Sequence, residues 1–257
     1  MKSISLYKNH GSWLNSLHPY TKLIYVLTAI VIPLISGKLW LFPIFIITSI
    51  VLLAISKCLK QTLSLIAFSF TIIIVIFLIQ GLFYAGNATE AFKISKLVFY
   101  QEGVLKATKI GLNILNMLTG FAVFVLTTSP QELVEELEKS GCSKNFGYII
   151  NSIFQILPQM IATKDTIMDA QRSRGLETEG NVFVRAKAFF PLISPVVMSS
   201  LTNTRERAIA LEVRGFGRKQ KKTYLSERSV KRTDYIIRAI LILLILCTII
   251  WRVMSCL

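Results

Sequence analysis

The sequence predicts an all-α, polytopic membrane protein with about five transmembrane helices and a cytoplasmic helical region between the fourth and fifth. Three observations predict it. The chain has 257 residues, 53% of them hydrophobic, with a mean hydropathy of +0.58, which is too apolar for a soluble domain and fits several spans plus a polar part. Apolar stretches recur at 23–35, 39–55, 63–84, 111–126 and 236–254. Before the last of them lies a long segment, 131–233, with 17 Lys/Arg against 11 Asp/Glu and no convincing span.

Residues 1–20 are polar and lack the order of a cleaved signal, so the first apolar stretch reads as a retained span. The first two stretches are short for a bilayer core about 30 Å thick and borrow flanking residues. Between them Ser36, Gly37 and Lys38 read as a tight turn. Pro33 and Pro43 are tolerable inside spans, where neighbouring helices satisfy the freed carbonyls. Net charge is +15, and the basic central segment belongs in the cytoplasm by the positive-inside rule. Four preceding spans then put the N-terminus (Lys2, Lys8, Lys22) and the Lys57/Lys60 loop on the same side. The 85–103 loop, with Lys93 and Lys96, falls outside with the C-terminus. The expected division is 1–127 for the first four spans, 128–233 for the cytoplasmic helices and 234–257 for the last span.

After the fourth span, Ser129, Pro130 and Glu132 form a helix start of capping-box type, and Gly141 closes that short helix. A longer helix follows. Phe146, Ile149, Ile150, Ile153, Leu157, Met160 and Ile161 recur at three- and four-residue intervals, with Pro158 as a bend point. A second long helix from about Val182 carries Leu192, Val196, Val197 and Leu201, with Pro191 and Pro195. Both are apolar early and charged late, so they can pack against each other or the membrane while offering their charged ends to another protein.

Those ends say nearly the same thing. Residues 170–176 (Ala170, Arg174, Gly175, Leu176) and 210–216 (Ala210, Arg214, Gly215, Phe216) both read Ala-x-x-x-Arg-Gly-apolar, forty residues apart. Ala and Arg at i, i+4 share a helical face, and Gly suits the left-handed residue that ends a helix. One copy is ordinary capping. Two matched copies point to paired docking, because a guanidinium makes bidentate, charge-assisted bonds with carboxylates.

Other classes find less support. The cysteines (Cys58, Cys142, Cys247, Cys256) are scattered and the only histidines are His10 and His18, so neither a disulfide framework nor a metal site is expected. No cofactor is expected. No phosphate-cradling loop, His-Glu-x-x-His or Gly-x-Ser-x-Gly occurs. The basic cluster at 218–222 reads as a topology and headgroup determinant; no motif accompanies it that would suggest nucleic acid. Glu135 and Glu136 sit outside the spans, where solvated charge explains them. Lys106, Lys109 and Arg238 only border the spans, which disfavours an ion path. A membrane enzyme and a self-contained channel or secondary transporter remain the alternatives.

The residues also resemble a known family, the transmembrane T component of energy-coupling factor (ECF) transporters, which includes the cobalt-transporter Q-type proteins. His18-Pro19-Tyr20-Thr21-Lys22-Leu23 is similar to the family's Asp-Pro-Arg-Thr-Lys-Leu lead-in to the first span, with His18 and Tyr20 as departures. Residues 127–137 resemble its helix after the fourth span, 156–160 its proline-bearing helix, and 170–176 and 210–216 its two arginine signatures, with Ser173 and Val213 where alanine is usual. The resemblance implies a non-catalytic subunit of an ABC-type importer in a bacterial cytoplasmic membrane. Its partners would be two cytoplasmic ATPases and a membrane-embedded S component that captures a vitamin or a cobalt- or nickel-type metal ion. It further implies that Ala170, Arg174, Gly175, Ala210, Arg214 and Gly215 form the ATPase-docking motifs.

Overall fold

A computed structural model describes residues 12–84, 89–94, 97–175, 181–217 and 232–256. The expectations placed on His10, Lys2, Lys8, Lys96, Leu176 and the 218–222 cluster lie outside those residues. In chain order the elements are α1 (Trp13–Ser16), α2 (Pro19–Ser36), α3 (Leu41–Ile55), α4 (Leu59–Phe83), β1 (Glu90–Ile94), β2 (Leu97–Tyr100), α5 (Gln101–Thr127), α6 (Pro130–Lys139), α7 (Lys144–Ser173), α8 (Val182–Val213) and α9 (Arg232–Cys256). Helices α2, α4, α5 and α9 are long and apolar enough to cross a membrane, and α3 is a shorter apolar helix of 15 residues. At about 1.5 Å per residue α3 is roughly 22 Å long, so it crosses only with local thinning or with flanking residues. The all-α, five-helix reading therefore holds, with one short hairpin added.

That hairpin and the start of α5 are where the structure departs from a simple loop at 85–103. β1 and β2 pair antiparallel, Ile94 opposite Leu97. Phe99 anchors the pair on α4: its ring lies 6.2 Å from that of Phe77, and a Cβ on Gly81 would come within 2.8 Å of it. The helix α5 then begins at Gln101, ten residues before the apolar stretch. Lys106 does not stop it, because its ammonium sits 4.1 Å above the ring of Tyr84, a cation–π contact that suits a lysine at a membrane border. Lys38, in the turn between α2 and α3, lies 4.4 Å above Trp251 in the same way.

The described residues divide into two compact units: α1 to α5 with α9, and α7 with α8. In the first, α5 is central. Asn116 donates to the Ala29 carbonyl of α2 at 2.6 Å, and Tyr25 and Ser49 share a 2.8 Å hydrogen bond between α2 and α3. Each satisfies polar atoms that lipid could not. By contrast, α4 and α9 leave large apolar side chains such as Phe68, Phe83, Leu243 and Ile250 exposed, as lipid-facing helices do.

The lead-in at 18–22 ties three helix ends together. His18 caps α2, its Nδ1 accepting from the Tyr20 N–H at 3.3 Å, with Pro19 at the first helical position. The His18 N–H and the Thr21 hydroxyl both donate to Oδ1 of Asp234 on α9, at 3.1 and 3.2 Å. Arg238, one turn further along α9, donates from Nε to the Thr21 hydroxyl at 2.8 Å. Lys22 donates from Nζ to the Thr127 carbonyl at the end of α5, at 2.7 Å, where the helix dipole favours a cation. Asp234 and Lys22 are both buried.

In the second unit, α7 and α8 run antiparallel. Tyr148 near the start of α7 packs on Phe216 just beyond α8, ring centroids 4.7 Å apart. Arg207 of α8 donates to Oε1 of Gln159 at 2.7 Å and of Gln155 at 3.4 Å. Thr163 and Ser200 line one small polar cavity beside them. Both helices continue through their prolines, Pro158 in α7 and Pro191 and Pro195 in α8.

Candidate functional site

Both Arg-Gly segments sit at helix C-termini with matched backbone geometry. In α8 the Gly215 N–H bonds the Glu212 carbonyl at 2.9 Å and the Phe216 N–H bonds the Leu211 carbonyl at 3.0 Å. This is the Schellman pattern, with Gly215 as the left-handed residue at φ +76°. In α7 the Gly175 N–H bonds the Arg172 carbonyl at 2.9 Å with φ +86°, and Leu176 lies outside the described residues. Arg174 and Arg214 therefore occupy the same place, the last residue before the chain reverses. An alanine at either glycine would carry a Cβ in a left-handed conformation that costs about 1–2 kcal/mol. Gly215→Ala is accordingly expected to fray the end of α8 and lower the thermal midpoint of the purified chain, while Gly215→Asn costs less because Asn tolerates that conformation; circular dichroism melts check both.

The two guanidinium groups are exposed and have no hydrogen bond or ion pair among the described residues. The acidic residues that precede Arg174 on α7 are otherwise engaged: Asp169 lies 3.8 Å from Arg172, and Asp165 lies 2.8 Å from Lys164. A helix C-terminus stabilises a cation through the macrodipole, so an arginine suits this position. Ala170 and Ala210 are exposed one turn earlier, leaving a flat approach on the same face. Ser173 folds its hydroxyl back on the Asp169 carbonyl at 3.1 Å. Val213 is 84% exposed, so its bulk meets no packing constraint.

The antiparallel pairing sets the two arginines far apart. Arg207 is level with Gln155 and Gln159, and Phe216 with Tyr148, so Arg214 is level with a residue near 150. The remaining length of α7 to Arg174, at about 1.5 Å per residue, is roughly 36 Å. One helix pair thus carries two like sites at opposite ends. Sequence reasoning found both ends but left open whether the helices pack on each other; periodicity marks a face, not its partner. It also missed Arg207, whose position in a charged run gives no sign that it crosses to α7.

Along the rest of the pair, Phe146, Ile149, Ile153 and Leu157 on α7 and Val197 and Leu201 on α8 are all at least two-fifths exposed. They stand at i, i+3 and i+4 intervals, so each helix carries an apolar stripe that its neighbour does not cover.

Comparison with known proteins adds an independent finding. The family described as CbiQ, cobalt transport protein, matches residues 10–225, which takes in the first four apolar helices and both Arg-Gly segments. Among curated relatives, the energy-coupling factor transporter transmembrane protein EcfT of Clostridium kluyveri is 28% identical over 192 residues, 71% of each chain. That of Brevibacillus brevis is 26% identical over 267 aligned positions, covering 97% of this chain and 98% of its own. That of Bacillus subtilis is 25% identical over 230, covering 83% and 84%.

Proposed function

This chain belongs to the family of T components of energy-coupling factor transporters, and from that premise we propose that it is the non-catalytic subunit that couples two cytoplasmic ATPases to a membrane-embedded S component. The observation that carries the reading is the pair of arginines at opposite ends of α7 and α8, each followed by a left-handed glycine and without a side-chain partner among the described residues. Two equivalent sites separated by the length of a helix suit a partner with two equivalent subunits. Each arginine enters an acidic groove on one ATPase, where desolvation strengthens the bidentate contact. Closure of the ATPase dimer on ATP then moves the two helix ends. The motion passes along rigid helices rather than through loops.

The apolar stripes on α7 and α8 suit the other side of the coupling, the bilayer and an S component that shares it. Captured by that component, the cargo is a vitamin or a transition-metal ion. The chain's own residues do not select it, since its histidines and cysteines are too few and too scattered to hold a metal ion. The setting is a bacterial cytoplasmic membrane with the N-terminus and the 128–233 region inside, a reading that their excess of lysine and arginine supports.

Reconstitution in vesicles tests this. The purified chain alone is expected neither to hydrolyse ATP nor to pass substrate, and uptake is expected only when ATPases, S component and ATP are all present. Flux through the chain without ATPases would replace the coupling role with that of a channel.

A further inference from the structure

At the end of the membrane unit away from residues 18–22, four cations converge. The turn between α2 and α3 brings Lys38, α5 brings Lys106 and Lys109 in its second and third turns, and α9 brings Arg252 near its end. Contacts tie them together. Lys38 lies 4.4 Å above the ring of Trp251, the residue before Arg252. A Cβ on Gly37, next to Lys38, would stand 3.9 Å from Nζ of Lys109. Lys106, one turn before Lys109 on the same face of α5, lies 4.1 Å above the ring of Tyr84. All four residues are exposed, and none has an ion pair or hydrogen bond among the described residues. Glu102, the acid in the first turn of α5, is taken up by Thr89, whose N–H and hydroxyl donate to it at 3.2 and 2.7 Å.

Their depth follows from the helices. α5 has 27 residues, roughly 40 Å, which is about 10 Å more than the bilayer core. Its two lysines fall in the ten residues ahead of the apolar stretch that starts at Gly111, so the excess length lies at this end. Tyr84, Trp251 and Trp40 stand there too, Trp40 at 85% exposure, as aromatic residues do at headgroup level. With the N-terminus inside, as proposed above, this end faces the outer leaflet, where topology alone does not call for lysine. Like charges held together repel one another, and an anion at that depth relieves the repulsion.

We propose that this end of the membrane unit binds an anionic phospholipid, its headgroup against Lys38, Lys109 and Arg252 and the start of its chains against Trp40 and Trp251. Charge alone suits an acidic protein as well. Depth decides for lipid, because the cations stand where headgroups are, with exposed aromatic rings beside them and the lipid-facing side chains of α9 below.

Two of the three tryptophans mark this end, so Trp13→Phe leaves a reporter confined to it. The full-length variant is placed in phosphatidylcholine vesicles with a small share of lipid brominated on its chains, either phosphatidylglycerol or phosphatidylcholine. Both leaflets have the same composition, so the result does not depend on which way the chain inserts. Brominated phosphatidylglycerol is expected to quench Trp40 and Trp251 several-fold more strongly than brominated phosphatidylcholine at equal share. Lys38→Gln/Lys109→Gln/Arg252→Gln should remove that preference, and Lys109→Gln alone, at an exposed residue without a hydrogen bond, should lower it. Taking three charges from the opposite end, with Lys57→Asn/Lys60→Gln/Arg232→Gln, should leave it unchanged. Equal quenching by the two lipids in the unsubstituted face overturns the proposal and leaves an acidic protein as the partner. A preference that survives the first triple substitution, or that falls as far in the opposite-end variant, overturns it too.

Discussion

Arg174→Ala and Arg214→Ala are each expected to weaken binding of the chain to its ATPases by about 2–5 kcal/mol, roughly thirty-fold to a few thousand-fold in Kd. The range follows from what a desolvated, bidentate arginine contributes when its partner carboxylate is left behind. A rim contact would contribute only about 0–1 kcal/mol, so titration of single variants separates the two possibilities. Folding should hardly change, because both side chains are exposed and have no partner among the described residues; the shift in stability should stay within about 0.5 kcal/mol. Arg→Lys at either position keeps the charge but loses the planar fork, and is expected to fall between wild type and Ala. Because the arginines lie at opposite ends of the pair, each single variant should weaken one ATPase contact and spare the other.

The largest effect on stability is expected at Asp234. It is buried at 2% exposure and accepts from the His18 N–H and the Thr21 hydroxyl. Asp234→Ala removes the acceptor that draws α9 to the start of α2 and takes an anion from a cluster that includes Arg238 and the buried Lys22. Breaking such a buried arrangement costs about 3–5 kcal/mol. Asp234→Asn should fall between wild type and Asp234→Ala, since an amide oxygen accepts the same two bonds but the charge facing Arg238 and Lys22 is lost. Thermal unfolding of the purified chain in detergent reads the difference. Equal midpoints for wild type and Asp234→Ala would mean that the clasp contributes nothing.

What the sequence disclosed and what it withheld divide along physical lines. Apolar stretches and glycine caps are local signals. The five apolar helices appear where expected, although α4 begins at Leu59 and α5 at Gln101, earlier than the apolar residues do. Lysine is a good helix former, so Lys60, Lys106 and Lys109 extend helices that a hydropathy scan would cut short. Gly141, Gly175 and Gly215 each take the left-handed conformation their positions suggested. The hairpin at 90–100 was not legible, because its strands are short and its anchor, Phe99 on Gly81, depends on a helix earlier in the chain. The lead-in at 18–22 was visible only as a resemblance. Its physical role depends on Asp234, more than two hundred residues away, and no local pattern announces that pairing. The same holds for Arg207 on Gln159, a contact that fixes the antiparallel pairing and so sets Arg174 and Arg214 apart.

On the proposed function, two arginines, one at each end of the α7–α8 pair, hold the ATPases. The most direct measurement is a detergent pull-down of candidate ATPases by the tagged chain, wild type beside the double variant Arg174→Glu/Arg214→Glu, with circular dichroism confirming that both are helical. Wild type is expected to retain the ATPases and the double variant to lose them. Equal retention by both would contradict it, and docking would then have to be sought on other surfaces of the chain.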